Sequence, residues 1–113
     1  MKIYHNPRCS KSRNTLQIIE EAGIEPEVIL YLQTPPSAED IKDLLSKLGM
    51  SARDLLRKGE DDYKANNLSD ESLSEDQLIQ FMVQYPKLIE RPIVVKGNKA
   101  VLGRPPENVQ ALL

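Results

Sequence analysis

The hydrophobic positions at the start of the chain form a short run, a helical stripe and a second run. Lys2 to His5 is a β-like stretch ended by Asn6-Pro7. From Ser12 to Ala22, Leu16 and Ile19 share one side of a helix, with Ile18 and Ala22 beside them, and Gly23 is a natural C-terminal stop. Glu27 to Leu32 carries the nearly continuous apolar run Val28-Ile29-Leu30-Tyr31, which has strand length and reads as a strand buried on both faces. A strand, a helix and a strand in this order imply a parallel pair with a right-handed crossover.

Pro35-Pro36 breaks the chain, and the pattern becomes helical. Ser37 is placed to cap a helix with Asp40 in its first turn, and Ile41, Leu44, Leu45 and Leu48 follow at i, i+3, i+4 and i+7 until Gly49. Ser51 to Arg57 predicts a short helix closed near Gly59, and Asp61 to Leu68 is polar, part helix and part loop. Ser74, with Glu75 and Asp76, opens a helix carrying Leu78, Phe81, Met82 and Tyr85 at the same spacing, and Pro86 ends it. After Pro92 the period changes again. Ile93 to Lys96 and Lys99 to Leu102 are strands joined by the two-residue turn Gly97-Asn98. Pro105-Pro106 starts a last short helix with Val109, Leu112 and Leu113 as its inner face.

The order is therefore βαβ, a helical middle, then ββα. The hairpin of the second half must extend the parallel pair of the first into one mixed four-stranded sheet, with helices over both faces. This is the α/β, thioredoxin-like arrangement, expected as a single domain over residues 1–113 with a helical insertion at about 50–86. The length of 113 residues, with 40% hydrophobic, suits one modest core.

Composition narrows the function. Five aromatic residues (four Tyr, one Phe) disfavour a stacking platform for single-stranded nucleic acid, and a net charge of −2 gives no general attraction to phosphate backbones or anionic membranes. Neither nucleic acid nor membrane is an expected partner. The N-terminus lacks the apolar stretch of a secretory signal, and no run of about 18 apolar residues occurs. A cytoplasmic protein is expected, in a compartment that keeps thiols reduced. With one cysteine, Cys9, and one histidine, His5, both a disulfide framework and a Cys/His zinc site are excluded by counting, and no metal is expected.

Cys9 lies between the first strand and the first helix, just before a helix N-terminus, where unpaired N–H groups and the positive end of the dipole collect anions. A free thiol is only about 3% thiolate at pH 7, and lowering its pKa by two units takes about 2.7 kcal/mol. Backbone N–H donors, the Ser12 hydroxyl and the charges of Arg8, Lys11 and Arg13 are the candidate sources. A polar, basic turn argues for a reactive thiol over a small buried hydrophobe. His5 is open to two readings, a satisfied structural imidazole or an electrostatic role, and Asn14 is most simply a local backbone partner. Only three residues separate Cys9 from Arg13, too few for the phosphate cradle of cysteine phosphatases, which has five. The spacing matches thioredoxin geometry, with Ser12 where a second cysteine would stand. Such a CxxS monothiol needs an outside thiol to resolve any adduct. Arg57, Arg91 and Arg104 are each ordinary surface charges alone. Arg91-Pro92, however, leads into the third strand, where thioredoxin folds carry a cis-proline beside the active cysteine, and Arg104 ends the hairpin at the same sheet edge. Arginines converging there would hold a tetrahedral oxyanion and the thiolate alike.

The motif His5-Asn6-Pro7-x-Cys9-x-x-Ser12-Arg13-Asn14 resembles the ArsC family, the glutaredoxin-linked arsenate reductases, in its chromosomal branch. Leu30-Tyr31-Leu32 with Pro35-Pro36, Leu55-Leu56-Arg57, Arg91-Pro92-Ile93-Val94-Val95 and Gly103-Arg104-Pro105 extend the resemblance over nearly the whole chain. It implies an oxidoreductase in which Cys9 attacks arsenate, Arg57, Arg91 and Arg104 hold the oxyanion, and His5, Ser12 and Arg13 tune the thiolate. Glutathione would serve as reducing co-substrate with no bound cofactor, glutaredoxin would free Cys9, and the protein would act as a monomer. Where plasmid-borne members read Cys-Gly-Thr-Ser-Arg, this chain has Cys9-Ser10-Lys11-Ser12-Arg13. Two other functions fit the same fold: an Spx-like regulator that binds RNA polymerase, whose redox switch uses a CxxC pair, and a general monothiol exchange protein.

Overall fold

The structure, a computed structural model, describes residues 1–113. The chain forms two compact units, one of Met1–Thr34 with Arg91–Leu113 and one of Pro35–Glu90. The second unit thus begins at the Pro35-Pro36 break and includes the helix that follows it.

The first unit is built on a four-stranded mixed sheet of β1 (Lys2–Tyr4), β2 (Glu27–Ile29), β3 (Ile93–Lys96) and β4 (Lys99–Leu102), in the order β2-β1-β3-β4. β1 pairs parallel with β2 and antiparallel with β3, with Ile3 opposite Val28 and Val94. Helix α1 (Ser10–Glu21) makes the crossover between β1 and β2, and a 3₁₀ helix, Pro106–Leu112, closes the chain against it. Ile3, Ile19, Val94, Val109 and Leu112 form the core beneath these two helices, flanked by Leu16, Ile18 and Val101. The fold is thioredoxin-like, as the element order predicts.

Three details of this unit differ from the sequence reading. β2 stops at Ile29 and is not buried on both faces, because it is the edge of the sheet: Glu27 and Val28 are exposed. The apolar run continues as a turn in which Gln33 and Thr34 both donate to the Leu30 carbonyl, and this turn sinks Tyr31 to 2% exposure. α1 starts at Ser10, two residues before the predicted Ser12, and its buried positions are Ser12, Thr15 and Ile19, two of them polar. Leu113 is exposed, because the last helix has the three-residue period of a 3₁₀ helix and buries Val109 and Leu112.

The second unit consists of α2 (Ala38–Leu48), α3 (Ala52–Leu55), α4 (Asp61–Ala65), α5 (Glu75–Gln84) and a 3₁₀ turn at Pro86–Leu88. Ile41, Leu44 and Leu45 of α2 and Leu78, Ile79 and Met82 of α5 are buried. α5 turns Ile79 inward while Phe81 and Tyr85 stay half-exposed, so its buried stripe is rotated from the predicted one. Ser37, Ser51 and Ser74 each close a capping box, with Asp40, Asp54 and Gln77. Gly49 ends α2 in the left-handed conformation at φ 68°. No helix of the chain is long and apolar enough to cross a membrane.

Candidate active site

β1 ends at Tyr4, and the chain turns through His5 to Arg8 before α1 begins. Asn6 organises this turn, its side-chain oxygen accepting from the Arg8 N–H at 3.0 Å and its carbonyl from the Cys9 N–H at 3.0 Å. Cys9 is the N-cap of α1: its backbone is extended (φ −96°, ψ 122°), and its carbonyl accepts the first helical bond, from Arg13 N–H at 3.0 Å. No side chain caps this helix. The sulfur therefore occupies the place where a capping oxygen would sit, in front of the first N–H groups of the helix.

That placement decides the thiol's acidity. Burial pushes the Cys9 thiol up, but the Ser12 backbone N–H, the Arg91 guanidinium, the Lys11 N–H and the Arg104 guanidinium all favour the anion, and together they hold it below the ordinary thiol value. Arg104 Nη1 lies 4.0 Å from Cys9 Sγ, and the same nitrogen donates to the Arg91 carbonyl at 3.4 Å. The Arg91–Pro92 and Arg104–Pro105 peptide bonds are both cis. Cys9 itself stays partly exposed, so a solute reaches the sulfur.

Ser12 acts through its main chain and not, as its hydroxyl suggests from sequence, through its side chain. The hydroxyl is fully buried, accepts from the Asn6 N–H at 3.0 Å and shares a 2.7 Å hydrogen bond with His5 Nδ1. It braces the turn while the Ser12 N–H serves the sulfur. Burial first, and the Arg13 charge second, hold the His5 imidazole below its ordinary value against a smaller opposing pull from Glu20. Both influences favour the neutral imidazole. Arg13 donates from Nη1 to the Pro7 carbonyl at 2.9 Å and so clamps the far side of the turn.

The structure thus gathers Cys9, Ser12, His5, Arg13, Arg91 and Arg104 in one unit. Arg57 belongs to the other unit. There Leu56 bridges to Ile89, Arg57 N–H donates to Leu88 O at 2.8 Å, and the guanidinium pairs with Glu60 at 2.5 Å and Glu90 at 3.6 Å. Two further residues belong to the site and escape a reading of the sequence. Thr15 is buried on α1, and Gly103 packs against it from the end of β4. A polar residue at helical spacing from Ser12 is the only local signal for Thr15, and Gly103 stands in the sequence only as part of the motif Gly103-Arg104-Pro105, which says nothing of its contact with Thr15.

The family model described as the ArsC family matches residues 4–112, which takes in the turn, both cis-proline segments and everything between. The chain belongs to the ArsC family. It is 64% identical over 110 residues to the uncharacterized protein YfgD of Escherichia coli K12, covering 96% of this chain and 92% of that one. It is 48% identical over 114 residues to an arsenate reductase of Neisseria meningitidis serogroup B, covering 100% and 97%. Among solved structures, the arsenate reductase from Vibrio cholerae superposes with a TM-score of 0.97 at 52% identity, over 99% of this chain and 96% of that one. In this ArsC member, the cysteine stands at the cap position of the helix that follows β1.

Proposed function

We propose that the chain is an oxidoreductase of the arsenate reductase type, with Cys9 as nucleophile and Arg91 and Arg104 as oxyanion ligands. The observation that carries this reading is the Cys9 sulfur at the uncapped N-terminus of α1, partly exposed and 4.0 Å from Arg104 Nη1. The arsenate reductases at about half identity over the full length support arsenate as the substrate.

In the first step the Cys9 thiolate attacks arsenic, the S–As bond forms, and an arsenate oxygen leaves as water after taking up protons. The forked guanidinium donors neutralise the oxyanion and orient it for attack. Glutathione thiolate then attacks the Cys9 sulfur. An S–S bond forms, the S–As electron pair passes to arsenic, and arsenic(V) leaves as arsenite, arsenic(III). Glutaredoxin removes glutathione from the mixed disulfide and returns Cys9 as the thiolate. Ser12 offers no thiol for an internal disulfide, which favours this external route.

The test is arsenate turnover by the purified chain with glutathione and glutaredoxin, compared with Cys9→Ser. Turnover that needs both thiols and disappears in the variant supports the reading. Turnover no higher than the protein-free background sinks it for arsenate.

A further inference from the structure

Gly103 and Thr15 are 88 positions apart in sequence and leave no room between them. A Cβ built on Gly103 would collide with Thr15 Oγ1, and would lie 2.9 Å from Thr15 Cγ2 and 2.7 Å from Pro92 Cγ, so only glycine fits without displacement. Polar contacts hold the same approach. The Thr15 hydroxyl donates to the Lys11 carbonyl at 2.8 Å, with the Gly103 carbonyl a second, longer acceptor of the same O–H at 3.4 Å, and the Gly103 N–H donates to the Pro92 carbonyl at 2.9 Å. Thr15 lies on the helix that Cys9 begins, and Gly103 precedes Arg104, whose Nη1 is 4.0 Å from the Cys9 sulfur.

We infer that Thr15 and Gly103 are positioning residues acting through Arg104: their close contact fixes the end of β4 against α1 and thereby sets the Arg104 guanidinium beside Cys9. Pro92 closes the third side of the contact and ties Arg91, its neighbour, into the same assembly. A charge–charge attraction falls with separation, so a side chain at position 103 that lifts β4 from α1 weakens what Arg104 does at the sulfur. The inference rests on the proposed role of Arg104, but it is testable without any arsenate.

The experiment follows the pH dependence of Cys9 alkylation by iodoacetamide in the full chain, for Gly103→Ala, Arg104→Ala and the two combined. Gly103→Ala should move the alkylation profile to higher pH, lowering the rate about threefold or more on its acid limb, where rate is proportional to the thiolate fraction. Arg104→Ala should do the same, and Gly103→Ala should then add nothing in the Arg104→Ala background. A purely structural role predicts equal effects in both backgrounds, and that result overturns the inference. So does an unchanged profile in Gly103→Ala with a native circular dichroism spectrum. Should Gly103→Ala fail to fold, Thr15→Ala goes through the same cycle under the same criteria. Wild-type protein that lacks arsenate turnover but gives this non-additive cycle refutes the proposed function and leaves the positioning role standing.

Discussion

The N-terminus of α1 and those of α2, α3 and α5 solve the same problem in opposite ways. A helix leaves its first N–H groups without partners. In the second unit Ser37, Ser51 and Ser74 cover them with capping boxes. At α1 no side chain does so, and the cap position is Cys9. What the serines spend on holding a helix end shut, the first unit leaves available for an anion, and the Ser12 and Lys11 N–H groups act on the sulfur. The comparison separates helix ends that stabilise from the helix end that reacts.

The largest effect that sharpens this contrast is Cys9→Ser, which converts the open end to the closed type. Arsenate turnover should fall by about 10³-fold or more, because the hydroxyl is a far weaker nucleophile at its ordinary pKa. The fold should gain about 0.5–1 kcal/mol in acid solution, where a serine cap accepts from the Ser12 N–H that Cys9 now uses. That gain should shrink as pH rises. The folded-state value of Cys9 is lowered, so its thiolate stabilises the fold above the ordinary thiol value and this contribution is lost as pH falls through the lowered one. Urea unfolding at several pH values measures both arms. A variant less stable than wild type in acid would break the comparison.

Next in size, Arg104→Ala should reduce arsenate turnover about 10²-fold, the scale of losing one charge-stabilising donor, without changing the helical content seen by circular dichroism. Ser37→Ala and Ser74→Ala should each lower unfolding free energy by about 1 kcal/mol and leave the Cys9 alkylation profile where it was. If either cap variant moves that profile, the division of labour between the two kinds of helix end fails. The smallest effect belongs to Arg13→Ala. It removes one of the influences that lower the His5 imidazole, so the histidine should titrate slightly higher by proton NMR, while burial keeps it below its ordinary value.

Much of this was readable in advance. The hairpin Ile93–Leu102 follows from the β-branched run Ile93-Val94-Val95 and the shorter apolar run Ala100-Val101-Leu102 around Gly97-Asn98, and Gly97 does adopt φ 60°. Cys9, Ser12, Arg91 and Arg104 were visible because their neighbours in sequence (a strand end, a helix start, two prolines) are local features. β2 was misjudged because an apolar run does not reveal its place in the sheet: Val28 lies on an edge, and Tyr31 reaches the core from a turn. Arg57, an ordinary surface charge by itself and an oxyanion ligand by resemblance, pairs with Glu60 across a turn and with Glu90, which comes close only in the folded unit. Thr15 and Gly103 were illegible for a stronger reason. Their importance is the absence of space between two segments, and nothing in either segment records a distance.

The buried Ser12 hydroxyl, tied to both His5 and the Asn6 N–H, also bears on kinetics. Ser12 carries no sulfur, and position 12 is sealed at 0% exposure, so a thiol placed there would have no path to an outside partner. Any disulfide formed on Cys9 therefore waits for a collision with another molecule. On the proposed route, regeneration is second order, and at low thiol its rate should follow the concentration of the reductant outside.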